Sequence, residues 1–252
     1  MRTAARADYA FAQARLQARH GAMPDAQAWR ALEASRTAPH YFALARKGPL
    51  ARWVEGIAED ADAHRIEHAL RVRWRRYVDE VARWQAPAWR EATRWFGALV
   101  ELPLAAGLLR GDARAIAAWP ELSADSDAAA RIEALRSSGL AAFAALPADA
   151  DARALSTAWL AEWNRRLPAG AQAVSELRAP AELLLPRLRD DAGGRSTAGE
   201  PTRRALVKLF RRRAFSPVAA FAHLALVALD VERLRGGMTA RRLASTATGG
   251  AD

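Results

Sequence analysis

The stretch at residues 201–242, PTRRALVKLFRRRAFSPVAAFAHLALVALDVERLRGGMTARR, decides the fold class. From Val218 onward, Phe221, Leu224 or Ala225, Ala228, Val231 and Leu234 recur at steps of three and four, the spacing that lines one face of an α-helix. That face is apolar enough to be buried. Ser216 offers an N-cap oxygen, Pro217 stands at the first helical position where a missing N–H costs nothing, and Gly236-Gly237 reads as the stop. Upstream, Leu206, Leu209 and Phe210 form the apolar side of a shorter helix whose other side and end carry Arg203, Arg204, Lys208, Arg211, Arg212 and Arg213. The unit is a basic helix, a turn and a long packing helix.

The same period runs through the rest of the chain. Ile66, Leu70, Trp74, Tyr77, Val81 and Trp84 predict a long helix that starts near Asp62 or Ala63 and ends before Pro87, with Arg65, Arg71, Arg73, Arg75, Arg76 and Arg83 on its other faces. A second long helix after Pro87 carries Trp89, Phe96, Leu99 and Val100, with Pro103 kinking or ending it, and the two make an antiparallel hairpin. Residues 4–20 read as a first helix that Gly21 and Pro24 end. Asp25 then caps a short helix with Trp29 and Leu32, Pro39 leads into Tyr41, Phe42 and Leu44, and residues 52–57 give one more turn. In the middle, Asp112, Ser126 or Asp127, and Asp149 or Asp151 are helix starts, and Leu155, Trp159 and Trp163 follow at four-residue steps. Pro180 begins a further helix. Residues 190–199 read as a loop and 244–252 as a frayed tail. No segment alternates with β-branched residues, so the expected class is all-α.

Composition narrows the function. A chain of 252 residues that is 51% hydrophobic and 26% charged can bury a substantial core, as one large or two modest domains. Without cysteine it has no disulfide framework, thiol nucleophile or Cys-ligated metal site. No apolar run reaches the roughly 20 residues of a membrane span, and the N-terminus lacks the apolar core of a signal peptide, so the expected location is cytoplasmic. The net charge of +10 is nearly all arginine and favours an anionic partner: nucleic acid, an acidic lipid surface or an acidic protein face.

The sharpest chemical motif is His64-Arg65-Ile66-Glu67-His68, a match to the His-x-x-Glu-His zinc-peptidase pattern that places both histidines on one helix face with Glu67 as general base. It needs a third ligand, such as Glu121 or Glu133, and the sheet scaffold of that class, which the pattern does not provide. The reading kept is two solvated histidines. His223 reads as a satisfied boundary histidine, and no phosphate loop, dinucleotide fingerprint or nucleophile elbow is present. Trp74, Trp84, Trp89 and Trp95, interleaved with arginine, suit either a packing stripe or base stacking; packing is the plainer reading. Arg71, Arg73, Arg75 and Arg76, and separately Arg211, Arg212 and Arg213, are the candidates for a partner-binding surface.

The two ends carry a resemblance. A basic helix, an Ala-Phe-Ser-Pro turn and a helix ending in Asp230-Val231-Glu232-Arg233-Leu234-Arg235 resemble the C-terminal end of the C/d family of V-type ATPase central rotor adaptors. Residues 8–19, DYAFAQARLQAR, are similar to that family's opening. The resemblance implies a multi-helix funnel of repeated lobes in approximate threefold arrangement, here lobes at 4–110, 111–199 and 200–243, the middle one shortened. It implies a non-catalytic rotor subunit, peripheral on the cytoplasmic face of a membrane, that links the central stalk to the proteolipid ring and couples ATP hydrolysis or synthesis to proton or sodium transport. Central-stalk subunits, the ring and anionic lipid headgroups are then the expected partners, with no cofactor, metal or small-molecule substrate. The alternative is a basic helical nucleic-acid-binding protein.

Overall fold

The computed structural model describes residues 2–189 and 199–248. Helices follow one another without a strand among the described residues: α1 (Arg2–Gly21), α2 (Ala26–Ala34), α3 (Ala38–Lys47), α4 (Ala51–Val54), α5 (Ala63–Trp84), α6 (Arg90–Phe96), α7 (Leu102–Arg110), α8 (Ala113–Ala117), α9 (Ala128–Ser137), α10 (Ala152–Arg166), α11 (Ala179–Arg189), α12 (Gly199–Arg212) and α13 (Pro217–Thr248). The expected loop lies outside the described residues except for Gly199, which already belongs to α12. Four helix starts follow the cap chemistry in the sequence. Asp25, Asp62, Asp127 and Asp151 each accept a hydrogen bond from the N–H three residues on, at 2.8, 2.7, 2.8 and 2.7 Å. Each such cap contributes about 1 kcal/mol. Asp112 precedes α8 in the same way, but its carboxylate takes Arg110 Nη2 at 2.8 Å instead.

Two expected boundaries are corrected. The second arm of the hairpin is not one long helix: a 3-10 segment at Gly97–Glu101 separates α6 from α7, and Pro103 lies in the first turn of α7 rather than ending anything. Gly97 lets the segment press on α5, where a Cβ would come within 2.9 Å of Val78 Cγ2, and its carbonyl accepts Trp74 Nε1 at 2.8 Å. Nor does Gly236-Gly237 stop α13. The helix runs on to Thr248, so Ala244–Thr248 is helical rather than frayed, and the rest of the expected tail lies outside the described residues. Gly237 faces the Tyr41 ring, where a side chain of any size would collide, and Arg241 stacks 4.2 Å above that ring while donating to the Ser35 carbonyl at 2.9 Å. The glycine permits a close approach that the helix needs in order to continue.

Helix α13 is also more central than a one-faced amphipathic pattern implies. Pro217 through Ala228 are all buried, because α1, α3, α5, α6, α11 and α12 surround the helix. A helix apolar on every side is a core helix. Phe221 sits at its middle in a cluster with Phe96, Trp159 and Trp163, whose neighbouring ring centroids are 5.1–6.0 Å apart. Such pairs contribute about 1 kcal/mol each beyond the burial of their area. Backbone carbonyls satisfy the indoles: Trp95 and Trp159 donate to each other's carbonyls at 3.0 and 3.2 Å, and Trp163 donates to Ala92 at 3.1 Å. One continuous cluster of buried side chains runs from Ala12 to Met238, so residues of all three expected lobes share a single core.

Candidate functional site

The seven candidate arginines do not form one surface. On α5, Arg71 donates to the Ala118 carbonyl and stacks 5.1 Å from the Trp119 ring, and Arg73 donates to the carbonyls of Ala69 and Glu55. Arg75 reaches Glu101 through Nε at 2.6 Å and Nη2 at 2.5 Å, a bidentate pair in which the carboxylate is buried. Its hydrogen bond to Glu101 holds the guanidinium proton more tightly than usual. At the end of α12, Arg212 and the next residue, Arg213, both pair with Glu176, and Arg213 also donates to Ser175 Oγ at 2.9 Å. These hydrogen bonds, that of Arg213 foremost, lower the affinity of the Glu176 carboxyl for its proton. Only Arg76 and Arg211 remain exposed and without an ion pair among the described residues.

Other cations complete the picture on α12. Leu206, Leu209 and Phe210 turn inward, which directs Arg204, Lys208 and Arg211, at i, i+4 and i+7, to solvent on one face. None of the three has an ion pair among the described residues. A shallow cavity of about 640 Å³ runs along the helix, lined by Arg203, Arg204, Val207, Lys208, Arg211 and Arg212 with Glu200 at its start. Sequence reading placed Arg204 and Lys208 on the polar side of this helix, and the signal that selects them is their spacing opposite the leucines. Arg203 has another role: its Nη1 meets Asp230 Oδ1 at 2.6 Å, anchoring α12 to α13. Burial pushes the Asp230 carboxyl up to about 6, against the pull of Arg203.

The strip ends at an unusual residue. After α12 the chain turns through Phe215, whose φ of 61° lies in the left-handed region, and Ser216 Oγ donates back to the Arg213 carbonyl at 2.7 Å. Gln13, buried on α1, accepts the Phe215 N–H at 3.0 Å, which fixes the turn against the first helix. Phe215 is 60% exposed. No glycine in the sequence announces this conformation.

The histidine motif on α5 leads elsewhere. His64 is exposed, His68 is half-buried, and Glu67 is committed to Arg235 at 3.1 Å. Glu133 pairs with Arg136, and no group of three or more metal-ligating side chains occurs among the described residues. His223 is not a boundary residue. It is fully buried, its Nε2 lies 2.6 Å from the Tyr77 hydroxyl, and burial lowers its pKa to about 3. The neutral imidazole therefore joins α5 to α13 inside the core. All nine tryptophans are buried, so Trp74, Trp84, Trp89 and Trp95 pack rather than face a ligand. No helix among the described residues is long and apolar enough to cross a membrane. No protein-family model matches the chain, and neither curated proteins nor solved structures give a match.

Proposed function

We propose that the chain is a non-catalytic adaptor of a rotary ATPase of the V/A type, joining the central stalk to the proteolipid ring at the cytoplasmic face of the membrane. The observation that carries the reading is the packing of the two segments on which the resemblance rests. They lie at opposite ends of the sequence, yet α1 packs directly on α13, and Gln13 of the opening segment holds the backbone of Phe215 in the closing one. His20 on α1 meets Phe210 with ring centroids 4.5 Å apart, which adds α12 to the same unit. A torque-transmitting part needs rigid joints and partner surfaces, and a single aromatic core with an exposed basic face suits that work. The funnel of lobes and the transported ion belong to the same proposal.

Co-purification tests it. The tagged chain is recovered from detergent-solubilised membranes of its native host and its companions are identified by mass spectrometry. Nucleotide-binding head subunits, a central-stalk coiled coil and a small proteolipid are expected; a soluble chain without them would sink the reading. A second reading, nucleic-acid binding, draws on the unpaired cations of α12. It predicts affinity for a DNA or RNA oligomer that falls steeply with added salt. The burial of every tryptophan removes the base-stacking half of that idea.

A further inference from the structure

Phe215 combines two features that work against the fold. Its left-handed backbone is one that a bulky residue rarely keeps and that glycine takes by default, and the residue stands 60% exposed, with Phe11 the only other large apolar residue so placed among the described residues. The bond from its N–H to Gln13 is one that glycine would make equally well. Directly before it, Arg204, Lys208 and Arg211 form the exposed, unpaired strip of α12. Three exposed cations thus lie on one face of the helix, and the turn that follows it in sequence carries an exposed aromatic residue.

We propose that this end of α12 docks on an anionic phospholipid membrane, the cations meeting headgroup charges and the Phe215 ring entering the boundary between headgroups and acyl chains. Charge complementarity selects the occupant: the three cations of the strip form no ion pair among the described residues and outnumber the one acid beside them, Glu200, and the whole chain carries +10. Basic side chains beside an exposed aromatic are what an interfacial anchor presents. A nucleic-acid strand is less well served, because successive bases stack on successive aromatic platforms and this strip ends on one ring. The proposal takes from the adaptor reading only that the chain works beside a membrane.

The test is co-sedimentation of the purified full chain with vesicles of phosphatidylcholine alone and of phosphatidylcholine mixed with phosphatidylserine. Binding to the mixed vesicles is expected to be roughly tenfold or more tighter and to weaken with salt. The combined variant Arg204→Glu, Lys208→Glu and Arg211→Glu should abolish the preference. Arg76→Glu, which removes an equally free cation from α5, should leave it intact. Phe215→Gly should weaken vesicle binding several-fold while the unfolding temperature holds or rises, so that a loss cannot be ascribed to misfolding. Equal binding to both vesicle types, no effect of Phe215→Gly, an equal loss with Arg76→Glu, or displacement from vesicles by a DNA oligomer bound more tightly would each overturn the proposal. If the chain ignores anionic vesicles but still co-purifies with rotary-ATPase subunits, the lipid surface is wrong and the adaptor reading stands.

Discussion

Helices α5 and α12 look alike in sequence, each an apolar stripe with arginines around it, yet the fold uses their charges in opposite ways. On α5 three of the four candidate arginines are spent inward, on the carbonyls of Ala118, Ala69 and Glu55 and on the buried Glu101. On α12 the i, i+4, i+7 strip of Arg204, Lys208 and Arg211 keeps its charge for solvent, while Arg203 turns in to Asp230. The lesson is that a run of arginines says nothing about a partner until its acceptors are known. A guanidinium has five donors and takes whatever carbonyls and carboxylates the surrounding helices offer.

The contrast can be broken by substitution. Trp74→Ala, which opens the buried side of α5 and removes the donor to Gly97, should lose about 4 kcal/mol in urea unfolding. A loss below about 1 kcal/mol would mean that the arm collapses without it. Arg75→Ala should lose about 2 kcal/mol, because Glu101 is left buried without its partner; that is less than a fully enclosed pair would lose, since the Arg75 side chain is 44% exposed. Arg204→Ala on the other helix should stay within about 0.5 kcal/mol of the parent. Equal effects from these two arginine variants would erase the distinction between the helices.

Acid sharpens the same comparison through the contacts each helix makes with α13. His223, joined to Tyr77 of α5, has its folded pKa lowered from 6.5 to about 3. Its contribution is therefore complete above pH 6.5 and is lost as pH falls toward 3. Asp230, joined to Arg203 of α12, has its folded pKa raised from 3.8 to about 6, so its contribution is complete below pH 3.8 and is lost as pH rises through 6. The two slopes oppose each other between those values. Asp230→Asn should make stability climb with pH by about 1.4 kcal/mol per unit more steeply than in the parent between roughly pH 4.5 and 6. Unfolding curves collected across that range decide it, and an unchanged slope would show that Asp230 stays ionised in the folded chain. A small gain is expected at the end of α12: Phe215→Gly should gain up to about 1 kcal/mol by relieving the left-handed strain. A clear loss would assign the ring a packing role.

Much of the fold was legible in the sequence and less of the site. Periodicity and caps placed α5 to within a residue at its start, and Asp25, Asp127 and Asp151 marked other starts, because each cap is an interaction within four residues. The Gly236-Gly237 stop failed because the decisive neighbour, Tyr41, lies almost 200 residues away in sequence. In the candidate surface, Arg211 was legible as part of a basic run. Arg204 and Lys208 were legible on the polar side of α12, but which of its cations stay unpaired was not, and nothing local marks Phe215 as left-handed.

By itself, then, the sequence determined the all-helical class, most helix starts, the basic excess and the absence of cysteine chemistry, all properties of composition or of residues within one or two turns of each other. The tertiary structure decided that the first part of α13, Pro217 through Ala228, is buried on every side, that the tryptophans face inward, that His223 is buried neutral, and which cations are free. Those outcomes depend on helices brought together from distant parts of the chain, where burial and the supply of hydrogen-bond acceptors are set by packing rather than by neighbours in sequence.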